Sequence, residues 1–221
     1  MINLENFLLS GVHLGHSIKQ WNPKMSKYIY CERNGIHIID LLQTALCLKK
    51  VCLYLNRNNE KNYVILFVCT KKQFRTLIKN VAEKTNAKYV NYHWIGGFLT
   101  NWATVKTCID KLKMLEKVSN EEMSSNISKK EFLSLKKKKT KLEKYLIGVK
   151  DMVTIPDIVI IIGQKKELIA IRECIKMRIT LITIVDTNCD PFLTNYFIPA
   201  NDDSISSIST ILNEIAQAII N

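Results

Sequence analysis

The chain has 221 residues, 47% hydrophobic and 24% charged, a balance that fits one sizeable core and excludes a low-complexity or largely disordered protein. Its net charge of +12 is unevenly spread: residues 1–150 hold +16 and residues 151–221 hold −4, so a polyanion would meet the first two thirds. Seven cysteines without a Cys-x-x-Cys pair, no apolar run near the roughly 18 residues of a membrane span, and no signal- or transit-peptide pattern predict a reduced compartment and a protein that works where it is made.

Residues 2–9 suit a short helix that leads into GVHLGH, Gly11 to His16, and the fixed loop WNPKM, where Pro23 restricts Asn22 to extended conformations. His13 and His16 have a spacing that could ligate metal, but no third ligand lies nearby; structural or RNA-contacting roles fit them better. Lys19, Lys24 and Lys27 interleave with Trp21 and Tyr28, setting cations beside stacking faces, as phosphate and exposed bases require; a solvated loop is the plainer alternative. Tyr28 to Asp40 alternates apolar and polar residues on either side of Asn34-Gly35, the signature of a β-hairpin. Asp40 with Gln43 resembles a capping box opening a helix to about Leu55, with Leu42, Ala45, Leu46 and Leu53 as the expected buried face.

Tyr63 to Cys69 is an unbroken apolar run, which predicts a strand buried on both faces and hence a parallel sheet. Thr70 is the expected N-cap of a helix over 71–86, followed by a strand over 88–91; no glycines follow Cys69 to surround a phosphate. The segment NYHWIGGFLTNW, Asn91 to Trp102, then concentrates two tryptophans, a histidine and the paired Gly96-Gly97. It reads either as a packed corner or as a docking corner for RNA. From 103 to 147 the period becomes helical: Val105, Ile109, Leu112 and Leu115 first, then Phe132, Leu135, Leu142 and Tyr145 after the loop 119–126. Two helices folded as an antiparallel hairpin are predicted, and the charge of Lys136 to Lys139 suits an arm that projects from the sheet domain.

Strand and helix alternation resumes with strand 158–162, helix 166–177, strand 181–185, short strand 196–198 and helix 203–220. The fold class is therefore α/β, a doubly wound, mainly parallel sheet. Asp186, Asp190, Asp202 and Asp203 lie just beyond strand ends, where such folds place ligands. A divalent cation is conceivable there, though turn and helix-cap roles suit these residues better.

With these segments laid out, the sequence resembles the S-two family of small-subunit ribosomal proteins. The resemblance runs in order through GVHLGH (11–16), WNPKM (21–25), NGIHIIDL (34–41), WIGGFLTNW (94–102), GVKDM (148–152), IPDIVII (155–161), DTNCDP (186–191) and IPANDD (198–203), and RECI (172–175) with DTNCDP looks most like the plastid branch. The chain departs from the family pattern at Cys69, where glycine is usual, at Arg178-Ile179-Thr180, which replaces a Gly-Ile-Pro turn, and at Gly148, one glycine of a common pair.

The resemblance implies a flavodoxin-like domain from 1–102 and 148–221 with the hairpin 103–147 inserted. It implies a structural, non-enzymatic component that binds small-subunit rRNA between head and body on the solvent side. The partners implied are rRNA, neighbouring small-subunit proteins and the large mRNA-binding protein of bacterial subunits. The setting implied is a plastid-type ribosome or, alternatively, the bacterial cytoplasm, with no membrane and no cofactor beyond Mg2+ shared with the RNA. The RNA-contacting candidates are His16, Lys19, Trp21, Asn22, Lys24, Lys27, Arg33, His93, Trp94, Thr100, Asn101, Trp102, Lys106 and Lys113. The alternative, a metal-dependent hydrolase built on the acidic strand ends, lacks a glycine-rich loop, an activated serine and a complete ligand set.

Overall fold

The computed structural model describes residues 4–59, 63–120 and 129–220. The predicted N-terminal helix forms as α1 (Leu4–Leu9), its first positions lying outside the described residues. The chain then builds a three-stranded antiparallel sheet from β1 (Leu14–Ser17), β2 (Ile29–Arg33) and β3 (Ile36–Ile39), in the order β1-β3-β2. Asn34 and Gly35 join β2 to β3 with φ of 52° and 76°, the left-handed pair that a two-residue hairpin turn demands. β1 carries no alternation of apolar and polar residues and was not foreseen as a strand.

The main sheet has five parallel strands in the order β5-β4-β6-β7-β8: β4 (Ile65–Val68), β5 (Lys88–Val90), β6 (Ile158–Ile162), β7 (Thr180–Val185) and β8 (Tyr196–Pro199). Relabelled from its first strand, this is the 2-1-3-4-5 flavodoxin order. Every residue of β6 is buried, as a central strand covered on both faces requires. One face packs Phe67, Ile160, Ile182 and Ile198 against α2 (Leu41–Asn59), α3 (Arg75–Lys84) and α7 (Ile205–Ile220). The other packs Leu66, Val159, Ile161 and Leu181 against α4 (Trp102–Asn120) and α6 (Leu168–Met177).

Two expectations about helices need correction. The buried stripe of α2 is Thr44, Leu48, Val51 and Leu55, while Leu42, Leu46 and Leu53 are 61%, 54% and 47% exposed. The helix is apolar on more than one side, and its contacts with α7 and β8 select the face. Thr44 can join that face because its hydroxyl donates to Pro199 O at 2.7 Å. The helix expected over 71–86 begins with a 3₁₀ turn, Lys72–Phe74, and Thr70 does not cap it. The Thr70 amide and hydroxyl instead donate to Glu167 Oε1, at 2.8 and 2.5 Å.

α4 and α5 (Lys129–Leu146) pack against each other. Val105, Ile109 and Leu112 are buried with the sheet residues, so the first turns of α4 belong to the core. From residue 121 the loop expected between the two helices lies outside the described residues, as does the side chain of Phe132. Gly148 lies against β5: a Cβ there would fall 2.1 Å from Tyr89 O, so only glycine fits. Arg178 occupies the left-handed position after α6, φ 57°, where the family pattern has glycine. Among the described residues no helix is long and apolar enough to cross a membrane.

Candidate nucleic-acid interface

The corner 91–102 follows β5 at one edge of the sheet and is built around a carboxylate that the sequence did not flag. Glu173, on α6, is buried, and the corner wraps it with donors. Its Oε1 accepts from the Trp94 indole at 3.1 Å and the Gly97 amide at 2.8 Å; Oε2 accepts from the Leu99 and Thr100 amides at 2.8 and 3.2 Å. Burial pushes this carboxyl up, but the Trp94, Leu99, Gly97 and Thr100 donors outweigh it and hold Glu173 below the usual carboxylate range. Gly97 supplies the turn with φ of 84°, while Phe98 and Leu99 are buried and the Trp94 and Phe98 rings meet at a tilt, 4.8 Å between centroids.

This geometry separates the corner's residues. Trp94 is 4% exposed and its N–H is committed to Glu173, so it holds the corner from within and presents no face to a nucleic acid. Ile95 is 38% exposed. His93, Thr100 and Asn101 are exposed, and Asn101 accepts from the Thr104 hydroxyl at 2.8 Å at the start of α4. Trp102 and Lys113 are half-buried and Lys106 is exposed.

Beside His93 the fold assembles cations from two further segments. The Arg75 guanidinium and the Lys144 ammonium lie 3.9 and 4.0 Å from the centroid of the Tyr92 ring. Tyr145 meets both Tyr92 and His93 edge-on, at 5.5 and 6.3 Å. Lys144, aided by Arg75, holds the Tyr92 phenol below its ordinary value. Arg75 and Tyr92 were not among the sequence candidates because only the fold brings them together. Lys144 had a signal, since Lys137, Lys141 and Lys144 recur at helical spacing.

The other candidates sit beyond the opposite part of the sheet. The Asn22 amide donates to Thr187 O at 2.8 Å, after β7, and the Asn201 amide to Val12 O at 3.0 Å, after β8. Lys19, Trp21, Lys27 and Arg33 are exposed on this unit. Lys24 is exposed but pairs with Asp190 at 2.5 Å, and Trp21 lies 5.3 Å from the His37 ring.

His16 turns inward. Its Nδ1 meets Asp186 Oδ2 at 3.0 Å and its Nε2 meets Asp203 Oδ2 at 3.4 Å. The bond to Asp186 raises the imidazole pKa above its ordinary value, against the effect of burial. His16, Asp186 and Asp202 have donor atoms within 4.8 Å of one another, and these are the described side chains that could share a cation. Lys71 already supplies a positive charge there, with Nζ 2.9 Å from Asp202 Oδ1 and 2.9 Å from Asp203 Oδ1. Its stem crosses the crevice between β4 and β6, and a Cβ on Gly163 would come within 2.9 Å of Lys71 Cε. A doubly wound fold places its ligand at that switch point. Here the Lys71 side chain crosses it on the way to Asp202 and Asp203. The thiols of Cys69, Cys174 and Cys189 are pushed up to about 12 by burial, so they behave as small core hydrophobes.

The molecule is thus an α/β scaffold of flavodoxin topology with Lys71 lying across its switch-point crevice and most of its other lysines exposed. The family model described as ribosomal protein S2 matches residues 7–221, and the chain belongs to that family. It is similar to the small ribosomal subunit protein uS2c of Euglena gracilis, 56% identical over 219 residues, covering 99% of this chain and 91% of the relative. It is also similar to uS2 of Synechococcus sp. (strain JA-3-3Ab), 48% identical over 99% of this chain and 82% of the relative. For uS2c of Mesostigma viride the identity is 48%, over 99% and 96%.

Proposed function

We propose that this protein is a structural constituent of the small subunit of a plastid-type ribosome. It binds small-subunit rRNA on the solvent side, between head and body. The observation that carries this reading is the likeness, along nearly the whole chain, to small ribosomal subunit proteins of plastid and cyanobacterial type. The family is one of structural, non-enzymatic proteins.

The distribution of charge supports an ionic mode of binding. Lys and Arg side chains displace condensed counterions from phosphates, while exposed aromatic and histidine rings fix register on folded RNA. On this reading the distal part of α4 and α5 extends from the domain as an arm. Neighbouring small-subunit proteins, and a large mRNA-binding protein where one exists, dock on the remaining surface, and Mg2+ is shared with the RNA rather than held by the protein alone.

Affinity for a small-subunit rRNA transcript is expected to fall by roughly 100-fold or more between about 50 and 200 mM KCl, because several phosphates are neutralised at once. Filter binding across that range measures it. Salt-independent binding overturns the ionic mechanism.

A further inference from the structure

The cations around Tyr92 form a built cluster rather than a chance crowding of surface lysines. Arg75, half-buried at the start of α3, donates from Nε to Asn91 O at 3.2 Å, and Asn91 Nδ2 donates back to Arg75 O at 2.9 Å. The guanidinium is therefore held in place before any partner arrives. Lys144 comes from the last turn of α5, so three separate segments converge on one ring. Two like charges against a single tyrosine repel each other, and among the described residues neither makes an ion pair with a carboxylate. The arrangement lacks an anion.

The surroundings say which kind. Lys137, Lys141 and Lys144 form one stripe on α5, on the order of 10 Å long at the helical rise, along an open surface that Leu133, Lys136, Thr140 and Tyr145 also line. A row of cations leading to a ring pair suits a chain of phosphates with bases or sugars that can stack. We propose that Arg75, Tyr92 and Lys144 form a phosphate-binding site on which a backbone segment of small-subunit RNA docks, continuing along the Lys141 and Lys137 stripe. This rests on the reading of the protein as an rRNA-binding one.

The test uses the full chain and an in vitro transcript of the small-subunit rRNA, titrated by filter binding over a range of KCl. Arg75→Ala/Lys144→Ala is expected to weaken binding by about tenfold or more. It should also make the slope of log affinity against log salt shallower by about 1 to 2, since each phosphate contact contributes a little under one unit. Lys49→Ala/Lys50→Ala, which removes two exposed charges from α2, should change affinity by no more than about twofold. Lys144→Glu, which leaves Arg75 and Asn91 joined, should weaken binding further at an unchanged melting temperature.

If wild-type protein binds with steep salt dependence and both Arg75→Ala/Lys144→Ala and Lys144→Glu bind as it does, the site is wrong and the rRNA reading stands. Weaker binding by the variants at an unchanged slope overturns the phosphate assignment. A wild-type protein that does not bind the transcript overturns the rRNA reading and the site together.

Discussion

Replacing Glu173 by alanine is expected to destabilise the fold by about 3–5 kcal/mol, because it leaves several buried donors without an acceptor at once. The Trp94 indole and the amides of Gly97, Leu99 and Thr100 all lose their partner. For a domain of this size the melting temperature should drop by about 10 °C or more. The corner carrying His93 and Asn101 should loosen with it, and RNA binding is expected to decline as well. Glu173→Gln should fall between wild type and Glu173→Ala, since the amide keeps one acceptor oxygen but offers an NH2 to the remaining donors. The native carboxyl titrates below its ordinary value of 4.5, so its contribution is complete above that pH and is lost as pH falls through the lower native value. Thermal melts at neutral pH and in acid check both statements; a Glu173→Ala protein melting within about 2 °C of wild type contradicts them.

Lys71→Ala is expected to cost about 3 kcal/mol, chiefly by leaving Asp202 buried without its counter-charge. Asp202 is 5% exposed, and burial already raises its carboxyl above the usual range even with Lys71 beside it. For Lys71 itself burial favours the neutral amine, but Asp202 and Asp203 outweigh this and raise the ammonium's pKa. Without Lys71 the native state of the variant binds a proton at Asp202 more readily than the unfolded chain does. Its stability should therefore rise as pH falls from about 7 towards 5. His16 adds a dependence of the same sign: its pKa is raised, so its contribution is complete below 6.5 and is lost as pH rises through the native value. Urea unfolding at pH 5 and pH 7 measures the variant's loss and its partial recovery; an unchanged midpoint with no pH dependence contradicts this account of the crevice.

Strands whose burial is uniform were legible from residue type alone: Tyr63 to Cys69 contains β4, and the runs 158–162 and 181–185 match β6 and nearly all of β7. The Asn34-Gly35 turn was equally legible, because few residues other than glycine and asparagine take positive φ easily. The facing of α2 was not. Leu42, Leu46 and Leu53 keep helical spacing as well as Leu48, Val51 and Leu55 do, and only the position of α7 and β8 decides between them. Glu173 escaped for a different reason. An isolated acid on a helix reads as a solvated charge, and its donors come from 73 to 79 residues earlier in the chain. RECI was visible as a family segment, yet nothing in it says that its glutamate anchors WIGGFLT. Lys71 was hidden in the same way: after a strand it resembles one more surface lysine, and its partners at 202 and 203 follow a strand on the far side of the sheet.

A basic scaffold built into the small subunit sediments with that particle, which is measured by running native extract through a sucrose gradient at low salt and quantifying the protein in each fraction by mass spectrometry. The protein is expected to travel with small subunits in proportion to their rRNA and to be released by high-salt washing. Protein that remains at the top of the gradient, apart from intact small subunits, contradicts that expectation.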